Sequence, residues 1–181
     1  LKRVGLLKPT GHEIFRGSIT VPIFKGDMIQ GGYGRRLSNR VMANSTSYPF
    51  HLIDDDVLFN EDCLDSNPSC VILTKSPLEA ISLLQCGFEL VLATIGEFEL
   101  NQAVIDRLKV HDVKLIKIMV NLSPYNRQKI TNISTLLKAA HIRCKVVELP
   151  TWQDINHLVT HDVNATNVLI RLIQQARVIT C

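Results

Sequence analysis

Aromatic side chains are scarce. They make up 6% of the 181 residues, so a core here must be mainly aliphatic, and the 46% apolar content supplies one. No apolar run approaches ~18 residues, which excludes a membrane-spanning helix. No leader with a basic, an apolar and a small-residue block is visible, and Leu1 stands where an initiating Met would. The chain reads as a cytoplasmic piece of a longer protein. Cys-x-x-Cys is absent, and the five cysteines (Cys63, Cys70, Cys86, Cys144 and Cys181) are odd in number and scattered. That argues against a disulfide framework or structural zinc and for reduced, buried thiols. Neither the Gly-x-x-x-x-Gly-Lys-Ser/Thr phosphate loop nor the Gly-x-Ser-x-Gly nucleophile elbow occurs.

Charge is unevenly placed. Residues 1–40 carry eight Lys and Arg (Lys2, Arg3, Lys8, Arg16, Lys25, Arg35, Arg36, Arg40) against Glu13 and Asp27, a net +6. Residues 41–70 carry six acids and no Lys or Arg, a net −6. The basic segment suits a polyanion such as nucleic acid; a solvated face beside its acidic neighbour is the alternative.

Ser18–Lys25 reads as a strand, with Pro22 marking an edge or a bulge. Gly26-Asp27 fits a type II′ turn, and Met28–Gly34 returns to close a hairpin. Residues 38–50 read as a loop, and residues 51–68 as acidic and irregular with one short strand or turn. From Cys70 the pattern alternates. Strands are expected at Val71–Leu73, Leu90–Thr94, Val113–Val120 and Arg143–Leu149. Helices are expected at Pro77–Cys86 (capped by Ser76, stopped by Gly87), Glu99–Lys109 and Pro124–Ala140, with closing helices at Trp152–Thr160 and Val163–Val178. Such alternation predicts a mainly parallel sheet with helices on both faces.

Gly31-Gly32-Tyr33-Gly34-Arg35-Arg36 follows a hairpin rather than opening a helix, so it is no dinucleotide loop. It reads as a bulged strand end or as a close-approach surface with Arg35 and Arg36 on phosphates. His157 and His161, at i and i+4, have chelating spacing but no evident third ligand. Asp54-Asp55-Asp56 could attract Mg²⁺, with a solvated acidic loop as the default.

Two strand ends have the build of a metal-dependent phosphoryl-transfer site without its carboxylates. Cys70–Thr74 exits through Lys75-Ser76-Pro77 into a helix that carries Glu79. Leu115–Val120 exits through Asn121-Leu122-Ser123-Pro124. Open α/β sheets place their chemistry at such exits.

Several stretches together carry a resemblance. They are Gly11-His12-Glu13, Phe15–Ile23, Gly34-Arg35 and Gln85–Phe88. Ala93-Thr94-Ile95-Gly96, Glu148-Leu149-Pro150 and Asp154–Leu158 complete the set. In order and spacing the chain, over roughly residues 4–162, resembles the Toprim-containing catalytic core of bacterial-type DNA primases, closest to those of phages and mobile elements. The resemblance implies a Toprim-like, Rossmannoid, mainly parallel α/β domain at 69–162. A small mixed α+β basic subdomain at 1–68 would precede it and a C-terminal helix at 163–181 would follow. It implies primer synthesis on single-stranded DNA, with metal held by a Glu after the first strand and two Asp after the third.

Here Lys75 stands at the Glu position, and Asn121 and Ser123 stand at the Asp positions. Glu79 matches a retained acidic residue. The expectation is a degenerate, non-catalytic site with no cofactor, whose mouth prefers an anion to a cation. Arg16, Arg35, Arg36 and Lys75 would contact phosphates. Single-stranded DNA is the expected partner, a replicative helicase a further one. Two alternatives are weighed against this. One is an active Mg²⁺- or Mn²⁺-dependent nucleotidyltransferase or nuclease with its acids displaced to Glu79, Glu97 and Asp154. The other is a pure protein-interaction module.

Overall fold

The structure is a computed structural model that describes residues 6–37, 50–52, 56–150 and 154–178. Lys2, Arg3, Arg40, Asp54, Asp55, Trp152, Cys181 and nearly all of the loop read over 38–50 lie outside the described residues.

β1 (Ser18–Lys25) and β2 (Met28–Arg36) form the hairpin, and β3 (Phe50–Leu52) adds on the far side of β2. β1 is an edge strand, where a residue such as Pro22 is tolerated. Ile23 pairs with Gly31 but Phe24 with Ile29, so the bulge lies one residue past Pro22. Gly26 has φ 56, while Asp27 keeps negative φ, as a type II′ turn requires. Gly32 is a packing position: a Cβ there would lie 3.1 Å from the Phe15 ring. The glycine-rich stretch is therefore strand, bulged near its start.

Among the described residues before Cys70 there is one 3-10 helix (Glu61–Ser66) and no α-helix. Leu58 and Leu64 bury themselves in the core of the following α/β unit, and Phe59 bridges Ala93. Arg107 fastens this segment by ion pairs to Asp56 and to Glu61, a buried carboxylate whose Oε2 also accepts the Leu58 backbone N–H at 3.2 Å. Burial lowers and these partners raise the Arg107 pKa, with a net upward shift.

β4 (Cys70–Thr74), β5 (Val91–Ala93), β6 (Leu115–Asn121) and β7 (Arg143–Leu149) are parallel in the order β5-β4-β6-β7. Their side chains alternate between two cores. Val71, Leu73, Leu92, Ile116, Ile118 and Val120 face α2 (Gln102–Val110) and α3 (Pro124–Ala139). Ile72, Val91, Met119 and Val147 face α1 (Pro77–Gln85), α4 (Ile155–His161) and α5 (Ala165–Gln174). A strand buried on both faces reads as a continuous apolar run, which is how these strands look in the sequence.

Several boundaries differ from the sequence reading, and three have a local cause. α2 begins at Gln102 rather than Glu99, because Asn101 caps it by accepting the Val104 N–H at 3.0 Å. α4 begins at Ile155, with Asp154 accepting the His157 N–H at 2.7 Å. The last helix stops at Gln174, and Arg177–Val178 forms β8, antiparallel to β7. A two-residue strand has no period to read, so the helical pattern before it absorbs it.

Candidate functional site

Because β4, β5 and β6 are parallel, their C-terminal ends open on one side of the sheet. A cleft of about 510 Å³ lies there. Tyr33 and Arg35 of β2 line it with Lys75, Ser76 and Glu79 from the β4 exit. Gly96, Glu97 and Phe98 follow β5, Tyr125 and Asn126 come from α3, and Asp154 and Asn156 from the start of α4.

At the β4 exit, Ser76 caps α1 by accepting the Glu79 N–H at 3.5 Å, and Pro77 opens the helix. Glu79 then sits one turn in, only 3% exposed. Its carboxylate is met twice by Lys75, by the ammonium at 3.4 Å and by the backbone N–H at 3.3 Å. Burial pushes the Glu79 pKa up, the Lys75 ammonium pulls it down and Asp154 pushes it up again, leaving it at about 7.

The β6 exit is uncharged. Asn126 Nδ2 donates to Asn121 Oδ1 at 2.6 Å and to the Asn121 carbonyl at 3.0 Å. Ser123 caps α3, its Oγ accepting the Asn126 N–H at 3.3 Å. Both residues at the Asp positions are thus bonded into the start of α3.

The structure brings Glu79, Glu97 and Asp154 to one cleft but gives each other work. Glu97, 69% exposed in its side chain, accepts from the Tyr125 hydroxyl at 3.0 Å and from Lys129 at 3.4 Å. Lys129 also pairs with Glu99, the main cause of its raised pKa. Asp154 caps α4, and Asn156 accepts from Ser82 at 3.2 Å. Among the described residues no three His, Cys, Asp or Glu side chains converge to hold a metal.

Arg35 lines the cleft, whereas Arg36 and Arg16 do not; Arg16 is exposed in the turn before β1. The mouth therefore carries Lys75 and Arg35 against Glu79, Glu97 and Asp154. Lys75 is already engaged, so a simple preference for anions does not follow from its charge. His157 and His161 stack with ring centroids 4.2 Å apart, and His161 Nδ1 lies 3.0 Å from the His157 carbonyl. Cys63, Cys70, Cys86 and Cys144 are free thiols. Burial and its acidic neighbours push the Cys63 thiol up to about 11, so it is a poor nucleophile. The sequence reading missed Tyr125, Asn126 and Asn156. The only signal for Asn126 was its place just inside a helix that opens Ser123-Pro124.

No family model and no curated protein sequence matches the chain. Solved structures do. A DNA primase domain from Pseudomonas aeruginosa superposes with a TM-score of 0.77 at 18% identity, over 97% of this chain and 58% of that one. A DnaG primase catalytic domain bound to single-stranded DNA gives 0.71 at 18%, over 98% and 60%. The RNA polymerase domain of Mycobacterium tuberculosis primase DnaG, in complex with double-stranded DNA, gives 0.73 at 14%, over 98% and 60%. The chain spans about six-tenths of the length of these three structures, and the shared feature is the fold.

Proposed function

We propose, from the premise that this chain carries the fold of a DnaG-type primase catalytic core with its Toprim domain, that it is a non-catalytic member of that architecture. On this reading it binds single-stranded nucleic acid during DNA replication of a phage, plasmid or other mobile element. The observation that carries it is the state of the two strand ends. Where the resemblance puts three metal-binding acids, Lys75 is paired with Glu79, Asn121 with Asn126, and Ser123 caps α3.

Nucleotidyl transfer builds negative charge in its transition state, and Mg²⁺ held by carboxylates neutralises it. An amide oxygen and a hydroxyl are weak replacements for those carboxylates, and a lysine ammonium repels the ion. What remains suits binding. Lys75 and Arg35 reach one cleft, and a phosphate there competes with Glu79 for Lys75. Protonating Glu79 releases Lys75 to the phosphate, so binding strengthens as pH falls through about 7. A replicative helicase is a candidate second partner on the same resemblance.

The test is primer synthesis by the purified protein on single-stranded template with Mg²⁺ or Mn²⁺. No product is expected, and robust synthesis overturns the reading. One observation favours a second reading: Glu79, Glu97 and Asp154 do share a cleft. An active enzyme with a displaced acidic site would show calorimetric Mn²⁺ binding that Glu79→Ala or Asp154→Ala removes. A pure interaction module would show no DNA binding even at low salt.

A further inference from the structure

A second cleft, of about 610 Å³, lies at the opposite side of α3, between that helix, β7 and the α5–β8 corner. We propose that it is a binding site for a small amphiphilic anion of mononucleotide size, a planar ring carrying a phosphate. Its floor is closed by buried aliphatic side chains of both cores, Ile130 and Val146 on the α3 side and Leu149 with half-buried Leu172 on the α5 side. Two guanidiniums stand on its two sides. Arg127, Ile130 and Thr131 follow i, i+3, i+4 and share a face of α3. Arg177 is the register partner of Val146, so both side chains lie on the same face of the β7–β8 pair.

Among the described residues neither Arg127, Arg177 nor Glu148 takes part in an ion pair. The Arg127 Nε donates to the Leu122 carbonyl at 3.2 Å, which holds its stem at the rim and leaves its terminal nitrogens. Among the described residues β8 pairs with Lys145 and Val146 alone, and β7 from Val147 to Leu149 has no strand partner on its outer side. That edge, with Glu148 and Gln175, offers donors and acceptors to the rim of a ring lying on the floor. An apolar concave surface with a few convergent polar groups, in this size range, is the build of a small-molecule site. Guanidiniums favour phosphate through paired, charge-assisted hydrogen bonds. The β4–β6 cleft contributes none of these residues, so the inference stands whether or not the DNA-binding reading does.

The probes are adenosine and guanosine monophosphates, titrated into the full chain by calorimetry, with the parent nucleosides as controls. Saturable binding of at least one nucleotide is expected, weakened roughly tenfold or more by removing the phosphate, or by Arg127→Ala or Arg177→Ala. Thr131→Trp, at an exposed position, fills the cleft without touching the core and is expected to abolish binding. Absence of saturation up to roughly 1 mM overturns the proposal. So does binding that ignores these three substitutions, or binding lost instead in Lys75→Ala, which assigns the nucleotide to the other cleft.

Discussion

The two strand exits solve the same problem differently. At β4 a charge remains: Glu79 is buried, and Lys75 offsets it from two directions. At β6 Asn121, Ser123 and Asn126 form a neutral network that doubles as a helix cap. A buried carboxylate without a partner is costly in a low-dielectric cleft. One exit neutralises its buried acid with an internal cation. The other has only an amide and a hydroxyl, Asn121 and Ser123. The first stays sensitive to protons; the second does not.

The largest expected effect comes from placing carboxylates at both exits. Lys75→Glu, Asn121→Asp and Ser123→Asp together keep the scaffold bonds of the second exit. The carboxylate that Asn121→Asp introduces still accepts from Asn126, and Asp caps a helix as well as Ser does. At the first exit the triple variant places a new acid beside Glu79. It is expected to be less stable than the parent in chelator and to gain stability with Mn²⁺, about 2.7 kcal/mol at a hundredfold excess over its dissociation constant. Thermal melts against Mn²⁺ concentration read this directly, and a parent chain that gains as much would erase the contrast.

Next comes the pH response of the first exit. Unfolded, Glu79 titrates near its ordinary 4.5; folded, near 7. Between these values the folded chain holds the extra proton, so the Glu79 contribution to stability falls as pH rises from 4.5 to about 7 and is level beyond. The size is on the order of 3 kcal/mol, and Glu79→Gln should flatten that slope in denaturant titrations at several pH values.

A smaller effect is expected at the second exit. Asn121→Leu removes one acceptor from buried Asn126 and is expected to cost about 1–2 kcal/mol, with no new pH dependence across the window in which Glu79 titrates. The smallest is the cap. Ser123→Ala is expected to cost about 1 kcal/mol and Ser123→Asp nothing measurable, both read from the midpoint of unfolding.

The parallel sheet was legible because doubly buried strands announce themselves as apolar runs and because Ser76-Pro77 and Ser123-Pro124 mark two helix starts. β8 was not legible, since two residues paired to a strand some thirty positions away have no local signature. The candidate site was half legible. Strand ends pointed to Lys75, Glu79 and Glu97, which line the cleft, and to Asn121 and Ser123, which do not. What those residues bond to was hidden, because the Lys75–Glu79 and Asn121–Asn126 pairs depend on side-chain direction rather than on spacing alone. The Arg107 clamp on Asp56 and Glu61 spans 51 and 46 positions and is a product of the tertiary fold.

The most direct measurement is single-stranded DNA binding across a salt series, with and without Mg²⁺. The account predicts binding that needs no metal and weakens with salt. The slope of log affinity against log salt is about −2 to −3 if most of Arg16, Arg35, Arg36 and Lys75 meet phosphates. It also predicts a shallower slope in Lys75→Ala. Binding that appears only with Mg²⁺, or that is indifferent to Lys75, would contradict it.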